Sequence, residues 1–219
     1  MFIIGITGGT GAGKSTALRA LKSLGAMTLD ADRIYHGLLT DNAAMIAEIK
    51  AEWRGVSDCG GVSCEDAPDG GFSSGGVSDG GIDLKKLGEI VFNDPQALLK
   101  LNSITHKYVG AEIERRLAEW EAQGGTLAAI DAIALIESGR AEKCDVVVGV
   151  TAPPEMRTKR IMYRDRLTKK QAETRIAAQK TAEFYKENCD CILESKYSTS
   201  AEFEQKCKDF FKELLRDIK

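Results

Sequence analysis

The sequence contains no run of 18 apolar residues, so no membrane-spanning helix is expected. Histidine is nearly absent, with only His36 and His106. The six cysteines (Cys59, Cys64, Cys144, Cys189, Cys191 and Cys207) form no C-x-x-C pair. A structural zinc site is therefore not expected, and the cysteines read as free thiols. No basic region or signal-peptidase pattern precedes the first apolar stretch, so a cytoplasmic protein is expected. An excess of positive charge is lacking too. Thirty Lys and Arg against 33 Asp and Glu give a net charge of −3, which argues against a general nucleic-acid binder. The Asn/Thr-Lys-x-Asp pattern that reads guanine is missing. What remains is a chain of 219 residues, 43% hydrophobic and 29% charged. That suits one domain of ordinary size with a sizeable core.

The most informative stretch is the first. Phe2 to Ile6 reads as a buried strand, the glycine-rich residues after it as a tight turn, and Lys14-Ser15-Thr16 as the opening of a helix. Gly8 to Ser15 fits G-x-x-x-x-G-K-[ST], the P-loop pattern. Backbone N–H groups can ring a phosphate only where the chain curls tightly without a Cβ in the way, which glycine allows. The helix start adds N–H groups and the positive end of its dipole. Gly11, Ala12, Gly13, Lys14, Ser15 and Thr16 are therefore expected to bind nucleotide phosphates, with Lys14 neutralising the β- and γ-phosphates and the Ser15 hydroxyl ligating Mg²⁺.

Ala17, Leu18, Leu21 and Leu24 continue that helix to Gly25. A short strand, Ala26 to Leu29, closes on Asp30-Ala31-Asp32. In open α/β sheets the ligand crevice lies beyond the carboxyl ends of the strands, so Asp32 is expected to act on the substrate, and Asp30 either shares that role or caps the helix Ala31 to Leu39. A further helix is expected over Asp41 to Trp53 with Asp41 as its N-cap. Residues 54–82 then carry Gly-Val-Ser-Asp twice and four Gly-Gly pairs, a composition expected of a flexible surface loop. Helices follow from Asp83 to about Gln123 with a break at Asp94-Pro95. His106 on this stretch is a candidate substrate contact, because imidazole both donates and accepts near neutral pH. Leu127 to Ile130 reads as a buried strand closed by Asp131, a Walker-B-type carboxylate for Mg²⁺. Glu137 follows as a candidate pocket residue, and Asp145 to Val150 reads as a parallel-sheet strand.

From Arg157 to Lys180 the sign of charge reverses, with nine Lys and Arg against two acids. A break at Asp165 to Thr168 is followed by a capping box, Thr168 with Gln171. Such a basic helix pair reads as a lid whose guanidinium groups meet charge on a transferred phosphoryl group. Cys189 to Leu193 is a last strand, and Phe203, Cys207, Phe210, Phe211, Leu214 and Leu215 lie at the spacing of a helix packed on the core.

Together the P-loop, Asp30-Ala31-Asp32, Leu101 to His106, Asp131 to Gly139, Cys144 to Val148, Arg160 to Asp165 and Arg175 to Gln179 resemble the dephospho-coenzyme A kinase family. The chain has His106-Lys107 where the family has proline after its histidine, and Ile133 to Glu137 where the family has Pro-Leu-Leu-Phe-Glu. The resemblance implies ATP- and Mg²⁺-dependent phosphorylation of the ribose 3′-hydroxyl of dephospho-coenzyme A. It implies Lys14, Asp32 and Arg164 as catalytic residues, Arg160 as a further ATP contact, Asp32, His106 and Glu137 toward the substrate, and Ser15 with Asp131 toward the metal. The expected fold is a three-layer α/β/α P-loop kinase fold with a parallel sheet. Its core is expected over 1–32, 124–154 and 181–219, a helical substrate-binding region over 33–123, and a helical lid over 155–180. No nucleic-acid or membrane partner is expected, and a monomer is. The alternatives are another small-molecule P-loop kinase acting on a nucleoside or nucleotide and, from a different class, a nucleotide-dependent switch.

Overall fold

The computed structural model describes residues 1–56, 79–197 and 199–216. The chain divides into two compact units, Met1–Asp30 with Leu117–Lys219, and Ala31–Arg116.

The first unit is a five-stranded sheet in which every pairing is parallel, in the order β2-β3-β1-β4-β5. The strands are β1 (Phe2–Thr7), β2 (Met27–Asp30), β3 (Leu127–Asp131), β4 (Val146–Thr151) and β5 (Cys191–Glu194). β1 and β4 are almost wholly apolar, as strands covered on both faces must be. At the amino ends two aspartates substitute for missing ladder partners. Asp145 Oδ2 accepts from Ile3 N and Asp190 Oδ2 from Val147 N, both at 2.7 Å. Helix α1 (Lys14–Ser23) connects β1 to β2, and the last helix of the chain (Ser200–Arg216, called α9 below) packs beside it. Their shared core joins Ile4, Ile6, Val148 and Val150 to Ala17, Leu21, Phe203, Cys207 and Phe211, all buried. Each such large side chain removed from water contributes roughly 1.5–3 kcal/mol. Burial also pushes the Cys207 thiol up to about 12 and the Cys189 thiol up to about 11, so both stay protonated thiols.

The second unit is helical: α2 (Ala31–Asp41), α3 (Ala43–Glu52), α4 (Leu84–Asn93) and the larger part of α5 (Pro95–Ala122). Ile34, Leu39, Met45, Ile49, Leu87, Val91 and Ile104 form its buried face. The N-cap of α3 is Asn42, not Asp41: Asn42 Oδ1 accepts from Met45 N at 2.8 Å, and Asp41 is the last residue of α2. Most of the glycine-rich stretch lies outside the described residues, with Cys59 and Cys64. Its two flanks meet, since Asp83 N donates to Val56 O at 2.8 Å and Lys50 Nζ to Gly80 O at 2.9 Å.

Between β4 and β5 the first unit carries α6 (Pro154–Asp165), α7 (Lys169–Ala177) and α8 (Ala182–Asn188). Arg166 at φ 54° breaks α6 from α7, and the capping box of Thr168 and Gln171 starts α7 as the sequence suggests. No helix among the described residues is long and apolar enough to cross a membrane.

Candidate active site

β1 is the middle strand, and the loop Gly8 to Gly13 leaves its carboxyl end to start α1. The loop curls where Ala12 N donates to Gly9 O at 3.1 Å. Gly13 caps α1 in the left-handed region at φ 111°, and a Cβ there would stand 2.9 Å from Phe203 Cε1. Gly8, at φ 143°, passes so close to the Val150 carbonyl that a Cβ would run into it. Both positions demand glycine on conformation and on space. Lys14 Nζ donates to Gly8 O at 3.0 Å, folding the ammonium back over its own loop. The Ser15 side chain is exposed, whereas Thr16 is buried. The Thr16 hydroxyl lies 3.3 Å from Ser200 Oγ and accepts from Arg19 Nη2 at 3.2 Å, so its side chain ties α1 to α9.

Asp131 ends β3 in register with Ile6 of β1 on one side and Asp30 of β2 on the other. Its Oδ1 is buried. The chain then stays close to β1, with Ala132 N donating to Ile6 O at 3.2 Å and Thr7 Oγ1 to Ile133 O at 3.1 Å. Glu137 sits exposed in the turn that follows. Its charge reaches Tyr185, whose phenol is pushed up first by burial and then by Glu137. In the second unit Asp32 is exposed in the first turn of α2, two positions beyond the last residue of β2. His106 is exposed on α5, beside buried Thr105.

The basic helix pair reaches the loop by routes the charge pattern did not disclose. Arg160 Nη1 donates to Gly11 O at 3.0 Å and to Ala12 O at 3.4 Å, while Nη2 donates to Ser195 Oγ at 3.0 Å. It braces the loop backbone from behind these carbonyls. Arg164 makes a fork on its neighbour Asp165, at 2.6 and 2.9 Å, and Arg175 Nη1 donates to the same carboxylate at 2.7 Å. The guanidinium of Arg164, then Arg175, holds the Asp165 carboxyl below the usual carboxylate range.

Two residues given no separate role by the sequence reading act on Thr10. Arg157 Nε donates to Thr10 O at 2.9 Å, and Arg157 Nη2 donates to Gln179 Oε1 at 2.6 Å. Gln179 Oε1 also accepts from Thr10 N at 2.8 Å, and its Nε2 donates to Thr10 Oγ1 at 2.7 Å. The sequence signal was present only as one cation among nine and as the end of the Arg175 to Gln179 segment.

A curled glycine loop, a helix start, a lysine and a strand-end carboxylate gathered at one sheet end can hold a polyphosphate. Among the described residues no cluster of three or more His, Cys, Asp or Glu could hold a metal unaided.

The family model described as dephospho-CoA kinase matches residues 2–59 and 72–201. A dephospho-CoA kinase from Geobacter sulfurreducens is 36% identical over 180 residues, covering 82% of each chain. One from Thermobifida fusca is 30% identical over 218 residues, covering 100% of this chain and 98% of the relative. The solved dephospho-CoA kinase from Campylobacter jejuni superposes with a TM-score of 0.64 at 27% identity, over 99% of this chain and 98% of that one.

Proposed function

The chain belongs to the dephospho-CoA kinase family, and we propose that it works through Lys14, Asp32 and Arg164 acting on ATP held in the Gly8 to Thr16 loop. It phosphorylates the ribose 3′-hydroxyl of dephospho-coenzyme A with ATP, giving coenzyme A and ADP. The bond between the γ-phosphorus and the ADP oxygen breaks, one to the 3′-oxygen forms, and the hydroxyl proton leaves. The backbone N–H groups of Gly11 to Thr16 take the phosphates, and Lys14 exchanges Gly8 O for phosphate oxygen. Asp32 orients the acceptor hydroxyl and takes up its proton. An ordinary carboxylate is a weak base toward an alcohol, so most of its effect is placement. Arg164, delivered on the α6–α7 lid, spreads charge on the phosphoryl group in flight. His106 and Glu137 contact the acceptor, and Arg160 supports ATP through the loop carbonyls it holds.

The oxygen donors Ser15 and Asp131 fit Mg²⁺, which prefers one or two protein oxygens completed by phosphates and water over a protein cage. When bound, the ion would draw charge from the phosphate oxygens. The reading further makes the protein a cytoplasmic monomer, which light scattering on the purified protein checks for mass.

The observation that carries the proposal is the loop itself, with left-handed Gly13 opening α1 at the end of the central strand. The deciding experiment measures ADP release from Mg-ATP with and without dephospho-coenzyme A, with mass spectrometry of the product. One phosphoryl group added to the acceptor, lost in Lys14→Ala, is the expected result. A folded, ATP-binding protein with no acceptor-dependent turnover would overturn the residue roles and the substrate together.

A further inference from the structure

Arg157 is the most deeply buried cation among the described residues, 9% exposed. Among those residues its hydrogen bonds run only to neutral acceptors, Thr10 O and Gln179 Oε1, and no carboxylate pairs with it. Nearby Tyr185 is pushed up, first by burial and then by Glu137, and stays a neutral phenol. Burial alone drives the Arg157 pKa down, yet a guanidinium stays charged at any working pH. A buried charge without a counter-charge is costly, and proteins rarely keep one without use. Here it lies against the phosphate loop. A Cβ on Gly9 would strike the guanidinium, and one on Gly11 would meet Arg157 O at 3.0 Å.

The polar groups of Thr10 meanwhile are all engaged: N–H and hydroxyl by Gln179, carbonyl by Arg157. Arg157 lies in the second turn of α6, and Gln179 follows the end of α7. Both ends of the helix pair therefore close on one loop residue. Gln179 is neutral, so it fixes the loop without cancelling the cation.

We propose that Arg157 and Gln179 are positioning residues for nucleotide, with the amide fixing the loop at Thr10 and the buried guanidinium left unneutralised until polyphosphate binds. The counter-charge missing from the protein is the nucleotide's. Arg157 donates to the loop backbone at Thr10 O, so it acts by field and by loop shape and adds affinity that rises with the number of phosphates. This rests on the reading of the loop as an ATP site.

Calorimetric titration of ATP, ADP and AMP into wild type, Arg157→Gln and Gln179→Glu tests it, beside steady-state kinetics and the melting temperature of the ligand-free protein. Arg157→Gln should weaken ATP by about tenfold, ADP less and AMP least, as removal of one charge in a site of intermediate dielectric would. The KM for ATP should follow, while kcat at saturating ATP falls much less. The ligand-free melting temperature should hold or rise, because a desolvated charge is gone. Gln179→Glu keeps both acceptor contacts, and the Thr10 hydroxyl can turn to donate where Nε2 donated to it. It neutralises Arg157 and should reproduce the same charge-graded loss. A ligand-free protein that melts lower with equal losses for the three nucleotides would overturn the proposal in favour of plain structural support. Unchanged ATP affinity in both variants would also overturn it. If wild type itself binds no ATP, the reading of the loop falls instead, and the two failures are told apart.

Discussion

Replacing Gly13 by alanine asks whether one hydrogen's worth of space matters. At φ 111° and with a Cβ 2.9 Å from Phe203, the variant must distort the loop or the aromatic ring. ATP binding should fall by more than tenfold and stability by about 1–3 kcal/mol, read by titration and urea unfolding. Asp32→Asn, which keeps size and loses charge, should leave ATP binding intact and lower kcat by about 10²-fold or more. A near-normal rate in stopped assays would remove Asp32 from the chemistry. The loop was legible in sequence because its chemistry is local: glycines, lysine and helix start must be contiguous to work. The arginines were not. A run of nine cations announces a field, but which atoms Arg157, Arg160 and Arg164 reach depends on helix register over the loop, which spacing in sequence does not encode.

Helix α9 supports the loop from a distance in sequence by packing. Phe203 lies against Gly13, and Phe211 is wholly buried in the same core. Phe211→Ala should cost about 3–5 kcal/mol in chemical unfolding. The loss should come without a change in the kcat of the fraction that remains folded. At the start of α7, Thr168→Ala removes the capping box and should cost about 1 kcal/mol at most, visible as faster amide exchange in that helix. Elements with a strong stripe or a cap were readable: α1, β3, β4, α7 and α9 stand where periodicity places them. Helix α8 was not, since seven residues from Ala182 to Asn188 bury only Tyr185 and offer no stripe to detect. On α5 the apolar residues divide, with Leu98 and Leu99 exposed and Leu101 and Ile104 buried.

For the whole molecule, acid sensitivity follows from carboxylates held below their ordinary range. Glu112 is the clearest, lowered to about 2 by the Arg115 and Arg116 guanidinium groups. Its folded-state pKa is depressed, so its contribution is complete above the unfolded value near 4.5 and disappears as pH falls toward 2. Both arginines are substantially exposed, which limits the gain to about 1 kcal/mol. Urea midpoints of wild type and Glu112→Gln should therefore differ at pH 7 and converge near pH 2.

The strand order also sets a timetable for synthesis. β1 lies at the centre of the sheet, yet Phe2 waits for Leu127, 125 positions later, and Ile4 waits for Val146. At translation speeds of about 5–20 residues per second, the ribosome releases the first neighbour of β1 roughly 6–25 s after β1 itself. For that interval the nascent chain carries an apolar segment with both edges open, the condition under which chaperones are recruited and aggregation competes. Nucleotide stabilises only a state in which the loop is formed. It therefore offers the growing chain no early assistance, and any rescue of folding by ATP through this site begins only after β3 has been made.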